Sequence, residues 1–389
     1  MSHPTSLVPV LLKDRLFNLA NVTQLADDLQ RVYPPFDTHS FIEQVMAPFP
    51  TLELKARIGW ITTCLYTHLP PAYPEAVGII LRALPPPINP LGSDNDFGDF
   101  IYAPYAMYVA RYGCSRQYLA LSLDALKAIT TRCSAEDAIR YLINGFPNET
   151  LAVLHTWTQD PHYHVRRLCS EGTRPRLPWA INIHVPPTEP LPILTALFAD
   201  RTRFVTRSVA NHLNDLSTRD PERVTSLLVD WAASGQQTPH EMGYITRHAL
   251  RTLVKQGHAG ALRVLGIDPD AKVRVVEFRV STVVRLDTHL EVEVTLIAEE
   301  EVRVVVDYLI HFQNREGKLT RKKIFKLKQL RMVSGERVTL YKRHLFRRGM
   351  TVRPLYVGGH RIEIQMNGKR VGEQAFEVVD VEYPHPPPS

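Results

Sequence analysis

The chain has 389 residues, enough for two or three domains, and 44% of them are hydrophobic, as in ordinary globular proteins. Its formal charge is +6, and no apolar run approaches the roughly 18 residues that a membrane span needs. The opening MSHPTSLVPVLLKDR has neither a basic start nor a small-residue cleavage site, so no secretory signal is expected. Cys64, Cys114, Cys133 and Cys169 are widely spaced and form no CxxC pair. That spacing argues against a zinc site or a disulfide framework, and for reduced thiols in a cytoplasmic protein.

Residues 1–268 read as a succession of helices. Apolar residues recur at spacings of three and four in LKDRLFNLANVTQLADDLQRVY, THSFIEQVM, KARIGWITTCLYTHL, PEAVGIILRAL and AEDAIRYLI. Pro34-Pro35, Pro70-Pro71 and Pro85-Pro86-Pro87 fall between them and predict many short helices joined by tight loops. Val165-Arg166-Arg167, Val205-Thr206-Arg207 and Ile245-Thr246-Arg247 repeat with a period of 40, and Asp160 and Asp200 precede the first two at one offset. A helical period near 40 matches HEAT-like repeats, whose helix pairs bury their apolar faces by stacking into a solenoid.

From Val273 the pattern changes. RVVEFRVSTVV, HLEVEVTLIAE, VRVVVDYLIHF, KIFKLKQL, RVTLYKRHL, TVRPLYV, RIEIQM and QAFEVVDV alternate apolar and polar residues, and Asn367-Gly368 is a hairpin signal. The expected organisation is a HEAT-like helical-repeat domain over 1–268, an immunoglobulin-like β-sandwich over 271–382, and a disordered tail over 383–389. The whole is a multidomain α-solenoid followed by an all-β sandwich. Within residues 315–348 there are 13 basic and 2 acidic residues, a patch that suits a polyanion or a solvated strand face.

On helices, the 40-residue register sets Arg167 and Glu171, then Arg207, Asn211 and Asp215, then Arg247, Arg251 and Lys255 along polar stripes, with Val205, Val209 and Leu216 facing the core. Taken singly these are ordinary helix-surface pairs. A carboxylate on a surface meant for phosphate weakens binding, however, so Glu171 and Asp215 call for a function. Arg166, Arg167, Arg174 and Arg176 form a dense arginine cluster suited to phosphate contacts. Trp179 is either a plug in the repeat core or a site aromatic. Glu136 follows Ser134, read as an N-cap, and sits where the helix dipole favours acids. There is no P-loop, HExxH or GxSxG, and the sixteen histidines form no metal-ligand cluster.

The segments DPHYHVRRLCSEGTRPRLPWA and VTRSVANHLNDLS resemble the signature segments of the AlkC-type DNA alkylation repair glycosylases, HEAT-like relatives of AlkD. The resemblance covers residues 1–268 in outline and is sharpest over 130–235. The basic sandwich also resembles the immunoglobulin-like domain of one branch of that family. The resemblance implies a monofunctional glycosylase that initiates base excision repair. It would release cationic bases, chiefly 3-methyladenine and 3-methylcytosine, from duplex DNA without flipping them. It implies Glu136, Glu171 and Asp215 as catalytic carboxylates and Trp179 as the active-site aromatic. DNA contacts are expected from Arg166, Arg167, Arg174, Arg176, Arg207, Asn211, Arg247 and Arg251, and from Arg321, Lys322 and Lys323 of the sandwich. No cofactor or metal, no membrane and a monomeric state are expected. The rival reading is a non-enzymatic HEAT-repeat scaffold or DNA-structure binder.

Overall fold

The computed structural model of the protein describes residues 11–90, 97–348 and 354–380. Among them the helices are α1 (Leu12–Leu16), α2 (Leu19–Val32), α3 (Thr38–Met46), α4 (Leu54–His68), α5 (Tyr73–Ala83), α6 (Ala103–Tyr112), α7 (Leu119–Thr130) and α8 (Glu136–Gly145). There follow α9 (Pro147–Trp157), α10 (Tyr163–Gly172), α11 (Leu191–Leu197), α12 (Arg203–Ser217), α13 (Pro221–Ser234), α14 (Pro239–Ala249), α15 (Arg251–Gln256) and α16 (Ala259–Val264). The strands are β1 (Val273–Val280), β2 (Val283–Arg285), β3 (His289–Ala298), β4 (Val302–Gln313), β5 (Leu319–Met332), β6 (Arg337–Leu345), β7 (Gly358–Met366) and β8 (Lys369–Val379). The chain divides into two compact units, residues 1–216 with 231–248, and residues 217–230 with 249–389. The expected tail over 383–389 lies outside the described residues.

The helical unit forms as its periodicity predicts. In α2 the buried residues are Val22, Leu25, Ala26 and Leu29, one stripe of the helix, and Asn18 caps its first turn by accepting from the Asn21 amide at 3.1 Å. Proline opens α5, α6 and α9, where its missing N–H is no loss. The 40-residue register is structural. The Asp160 and Asp200 side chains each accept from the amide two residues on, both at 2.8 Å, turning the chain into α10 and α12. Val165, Val205 and Ile245 are all buried in the core.

The expected continuous helix through Arg247, Arg251 and Lys255 is instead two helices. Leu250 sits between α14 and α15 with ψ near 1°. Arg247 belongs to the first compact unit and Arg251 to the second.

In the second unit, β1, β3 and β6 form one sheet and β2, β8, β7, β4 and β5 the other. Inward residues alternate along the strands: Leu290, Val292, Val294 and Leu296 on β3, then Val304, Val306, Tyr308 and Ile310 on β4. Asn367 and Gly368 both adopt positive φ and close the β7–β8 hairpin as expected. Gly368 also meets Gly257, which ends α15, so closely that a Cβ on either would strike the other's backbone. Asn367 donates to the Asp268 carbonyl and Gln365 to the Lys255 carbonyl, both at 2.8 Å, fastening α15 and the following segment to the sandwich. The strand expected over TVRPLYV is not formed by residues 354–357; Pro354 has no amide to donate, and 351–353 lie outside the described residues. Among the described residues no helix is long and apolar enough to cross a membrane.

Candidate active site

Four parts of the helical unit converge on one cleft of about 290 Å³. The first turn of α8 supplies Glu136. Helix α10 supplies Arg167 and Glu171. The loop after α10 supplies Arg174, Leu177, Pro178 and Trp179, and α12 supplies Phe204, Arg207, Ser208 and Asn211. Phe97, from the segment before α6, closes one side. Helices α8 and α10 meet tightly because Gly172 has no side chain; a Cβ there would come within 2.5 Å of Ile139. Helix α10 ends as Thr173 turns its hydroxyl back to the Cys169 carbonyl at 2.7 Å, and Pro175 and Pro178 prevent its resumption.

That loop is held from below by Arg140 of α8, a fully buried residue that the sequence reading missed. It donates to the carbonyls of Gly172 (3.0 Å), Arg174 (2.9 Å) and Ile181 (2.5 Å). Burial lowers its pKa to about 10, so it remains a cation at neutral pH. Above the loop, Trp179 is 78% exposed and has φ of 76°, a left-handed conformation unfavourable to a bulky residue. Lys55 of α4 hydrogen-bonds the Trp179 carbonyl and pairs with Asp137 at 3.1 Å. Trp179 therefore faces solvent at the cleft mouth, which removes the core-plug reading.

The three expected carboxylates are joined by arginines. Arg167 lies 3.7 Å from Glu136 and 3.8 Å from Glu171. Arg174 donates through Nη1 to Glu171 at 2.7 Å and through Nε to Asp215 at 2.8 Å. Asp215 reaches the cleft through Arg174, while the other two carboxylates line its wall. Glu171 is 5% exposed. Burial pushes its carboxyl up, but Arg167, Arg174 and a hydrogen bond from Ser208 outweigh burial and hold it below its ordinary value. The same pairing raises Arg174 against the opposing effect of its own burial. Arg167 also lies over the rings of Phe204 (4.4 Å) and Phe97 (5.2 Å).

This placement corrects part of the expected arginine cluster. Arg166 is 7% exposed and is used up inside the repeat: Asp200 receives Nε at 2.5 Å and Nη2 at 3.1 Å, and the Asp160 and Pro161 carbonyls receive Nη1. A guanidinium so enclosed does not reach phosphate. Arg167 and Arg174 face the cleft, but Arg174 donates to two carboxylates, and Arg167 is ion-paired with two while donating to the Ser134 hydroxyl. Ser134 is not the cap of α8, because Ala135 occupies that position; its hydroxyl accepts from Arg167 at 2.5 Å. Arg176 and Arg247 are exposed, and Arg207 is half-buried beside Phe204. Asn211 accepts or donates at 2.8 Å with His248 of α14. In the second unit Lys322 and Lys323 are exposed on β5, and Arg321 lies over Phe312. Phe97, Arg140, Phe204 and Ser208 were missed. For Phe204 and Ser208 the signal was present: together with Asn211 and Asp215 they fall at steps of four, three and four, one face of α12. Among the described residues no cluster of His, Cys, Asp and Glu could hold a metal, and all four cysteines are free thiols.

A HEAT-like helical domain with a carboxylate–arginine cleft, followed in the chain by an immunoglobulin-like sandwich, defines the class. A family model described as the uncharacterised protein YhaZ C-terminal Ig-like domain matches residues 274–380. The chain is 30% identical over 368 residues to the uncharacterized protein YhaZ of Bacillus subtilis (strain 168), covering 93% of this chain and 98% of that protein. It is also similar to the Pseudomonas fluorescens alkylpurine DNA glycosylase AlkC bound to DNA containing an abasic site analog. That match has a TM-score of 0.83 and 33% identity, and covers 95% of this chain and 99% of that one. The chain belongs to the AlkC-type family that includes YhaZ.

Proposed function

We propose that this protein is a DNA glycosylase of alkylation repair that hydrolyses the N-glycosidic bond of cationic bases, 3-methyladenine and 3-methylcytosine, in duplex DNA. It leaves the base unflipped, acts as a monofunctional enzyme and initiates base excision repair. Likeness to AlkC, a DNA glycosylase seen with DNA, supports the reaction class. The observation that carries the reading in this chain is the buried, ionised Glu171 held with Glu136 and Asp215 beside the exposed face of Trp179.

The chemistry matches that inventory. A methylated base already bears positive charge and departs as a neutral molecule, so it needs no general acid. The bond breaks with its electrons on the base, and the deoxyribose develops oxocarbenium character. A fixed anion beside the sugar stabilises that charge without reorganising. A second carboxylate, Glu136 at the cleft wall or Asp215 joined to the cleft through Arg174, orients water toward the anomeric carbon and takes its proton. The Trp179 ring adds cation–π attraction for the charged base. Arg176, Arg207, Asn211, Arg247, Arg251 and the β5 residues Arg321, Lys322 and Lys323 are the proposed backbone contacts, with a cytoplasmic monomer as the acting form.

Incubating the full chain with methylated duplex DNA and quantifying the free bases tests the proposal. Release of 3-methyl bases, with uracil retained in a uracil-containing duplex, is the expected result. Binding to DNA without any base release would leave the scaffold reading, and efficient uracil release would contradict the absence of a general acid.

A further inference from the structure

Ser208 stands at the centre of α12, 1% exposed, with its hydroxyl 2.6 Å from Glu171 Oε2 and 3.0 Å from the Ser170 hydroxyl. One hydroxyl proton cannot serve both neighbours. An ionised carboxylate only accepts, so Ser208 donates to Glu171 and Ser170 donates to Ser208. Beneath them the fully buried His212, one turn further along α12, contacts the Ser170 carbonyl through Nδ1 at 3.1 Å. Burial lowers the His212 pKa to about 4, so the ring is neutral and Nδ1–H is the donor. The opposite oxygen of Glu171 faces Arg174 and Arg167.

We propose that Ser208 is a positioning residue for the glycosylase reaction, a neutral donor that fixes the Glu171 carboxylate and keeps it ionised through a Ser170–Ser208–Glu171 hydrogen-bond chain. The inference rests on the functional reading above. Neutrality is the point of the arrangement. A third arginine would also hold Glu171 as an anion, but its charge would repel the cationic base that the cleft must receive. A hydroxyl stabilises the anion with no net charge added to the site. Its bond to a charged acceptor in a buried setting is of the strong kind.

The test uses the full chain with Ser208→Ala, and Ser170→Ala as the milder variant. Single-turnover base release from methylated duplex DNA should fall about tenfold in Ser208→Ala, the usual scale for a hydrogen bond to a charged group. The acid-side midpoint of the rate should rise by roughly one pH unit, while duplex affinity stays unchanged. In a Glu171→Gln background, Ser208→Ala should add no further loss, because Ser208 acts through that carboxylate. Carbon-13 NMR titration of the Glu171 carboxyl in the free protein reads the same bond without any reaction, and its midpoint should rise in both serine variants. A Glu171 midpoint that does not move in Ser208→Ala overturns the inference whatever the activity, as does an equal loss in the Glu171→Gln background. A moved midpoint in a parent chain that releases no base would remove the glycosylase reading and leave the serine chain's hold on the carboxylate standing.

Discussion

Arg174 donates through Nε to Asp215 at 2.8 Å, joining the loop after α10 to a carboxylate 41 residues further along the chain. The same guanidinium closes on Glu171 at 2.7 Å. Two acids that would repel one another are thereby bridged by one guanidinium, and the loop that presents Trp179 is fastened to α12.

Replacing Arg174 with Gln should therefore damage both stability and chemistry. Removing one partner of a buried ion pair costs about 3–5 kcal/mol, because the other charge is left without compensation. Glu171 would take up a proton to relieve that cost. Base release should fall at least a hundredfold, and the fall should be only partly recovered at alkaline pH, where Glu171 ionises again. Arg174→Lys keeps the charge but loses the two-pronged geometry and should be intermediate. Release rates against pH and thermal unfolding check this; a fully active Arg174→Gln protein would show that the arginine is not needed to hold the carboxylates.

Glu171→Gln and Asp215→Asn should each abolish most base release while duplex affinity is kept or improved. Neutralising either acid removes stabilisation of the oxocarbenium and also removes repulsion from phosphate. Fluorescence anisotropy with labelled duplex, set beside release rates, separates the two effects. Full activity in both single variants would sink the assigned site.

Acidification should weaken the fold before it discharges Glu171. His212 titrates at about 4 in the folded protein against 6.5 ordinarily, because burial disfavours its charged form. The unfolded chain takes up a proton that the folded chain refuses. Stability therefore falls as pH drops from 6.5 toward 4 and levels off below, by about 3 kcal/mol in full at 1.4 kcal/mol per unit. His344 in the sandwich is lowered to about 4 and acts in the same window. Glu171 works in another: its folded pKa lies below 4.5, so its contribution is intact above that pH and fades as pH falls through the folded value. Denaturant unfolding at several pH values, followed by circular dichroism, should show a shallower decline in His212→Asn. An identical decline would mean that His212 is not the group that titrates.

The β5 patch makes a prediction about salt. Lys322 and Lys323 are exposed on β5 and hold no ion pair among the described residues, whereas Arg331 and Arg348 are paired to Glu301, Asp287 and Asp380. Reversing Lys322 and Lys323 to Glu, together with Arg321, should weaken duplex binding. Each lost phosphate contact should lower the slope of log affinity against log salt by roughly 0.9. An unchanged slope and release rate would mark the sandwich as a protein-interaction module with a solvated basic face.

By itself the sequence determined the two kinds of structure and their order, the 40-residue register, the hairpin at Asn367-Gly368 and the identity of the family. These are local or periodic properties: which residues face a core at steps of three and four or of two, and where a left-handed turn is required. It also singled out Glu171 and Asp215, since acids are out of place on a surface meant for phosphate. Tertiary structure alone decided what each arginine does. Arg166 and Arg167 are neighbours in a helix, yet one is sealed against Asp200 and the other faces Glu136 and Glu171, a difference set by which way each side chain points from α10. It also decided that Trp179 is exposed, and that Arg140 and Ser208 serve the site, because a hydrogen bond spanning some 30 to 40 residues has no signature in spacing. Two arginines and a serine then outweigh the burial that would neutralise Glu171 and hold it as an anion, an outcome that depends on the surroundings of the carboxylate and not on its place in the chain.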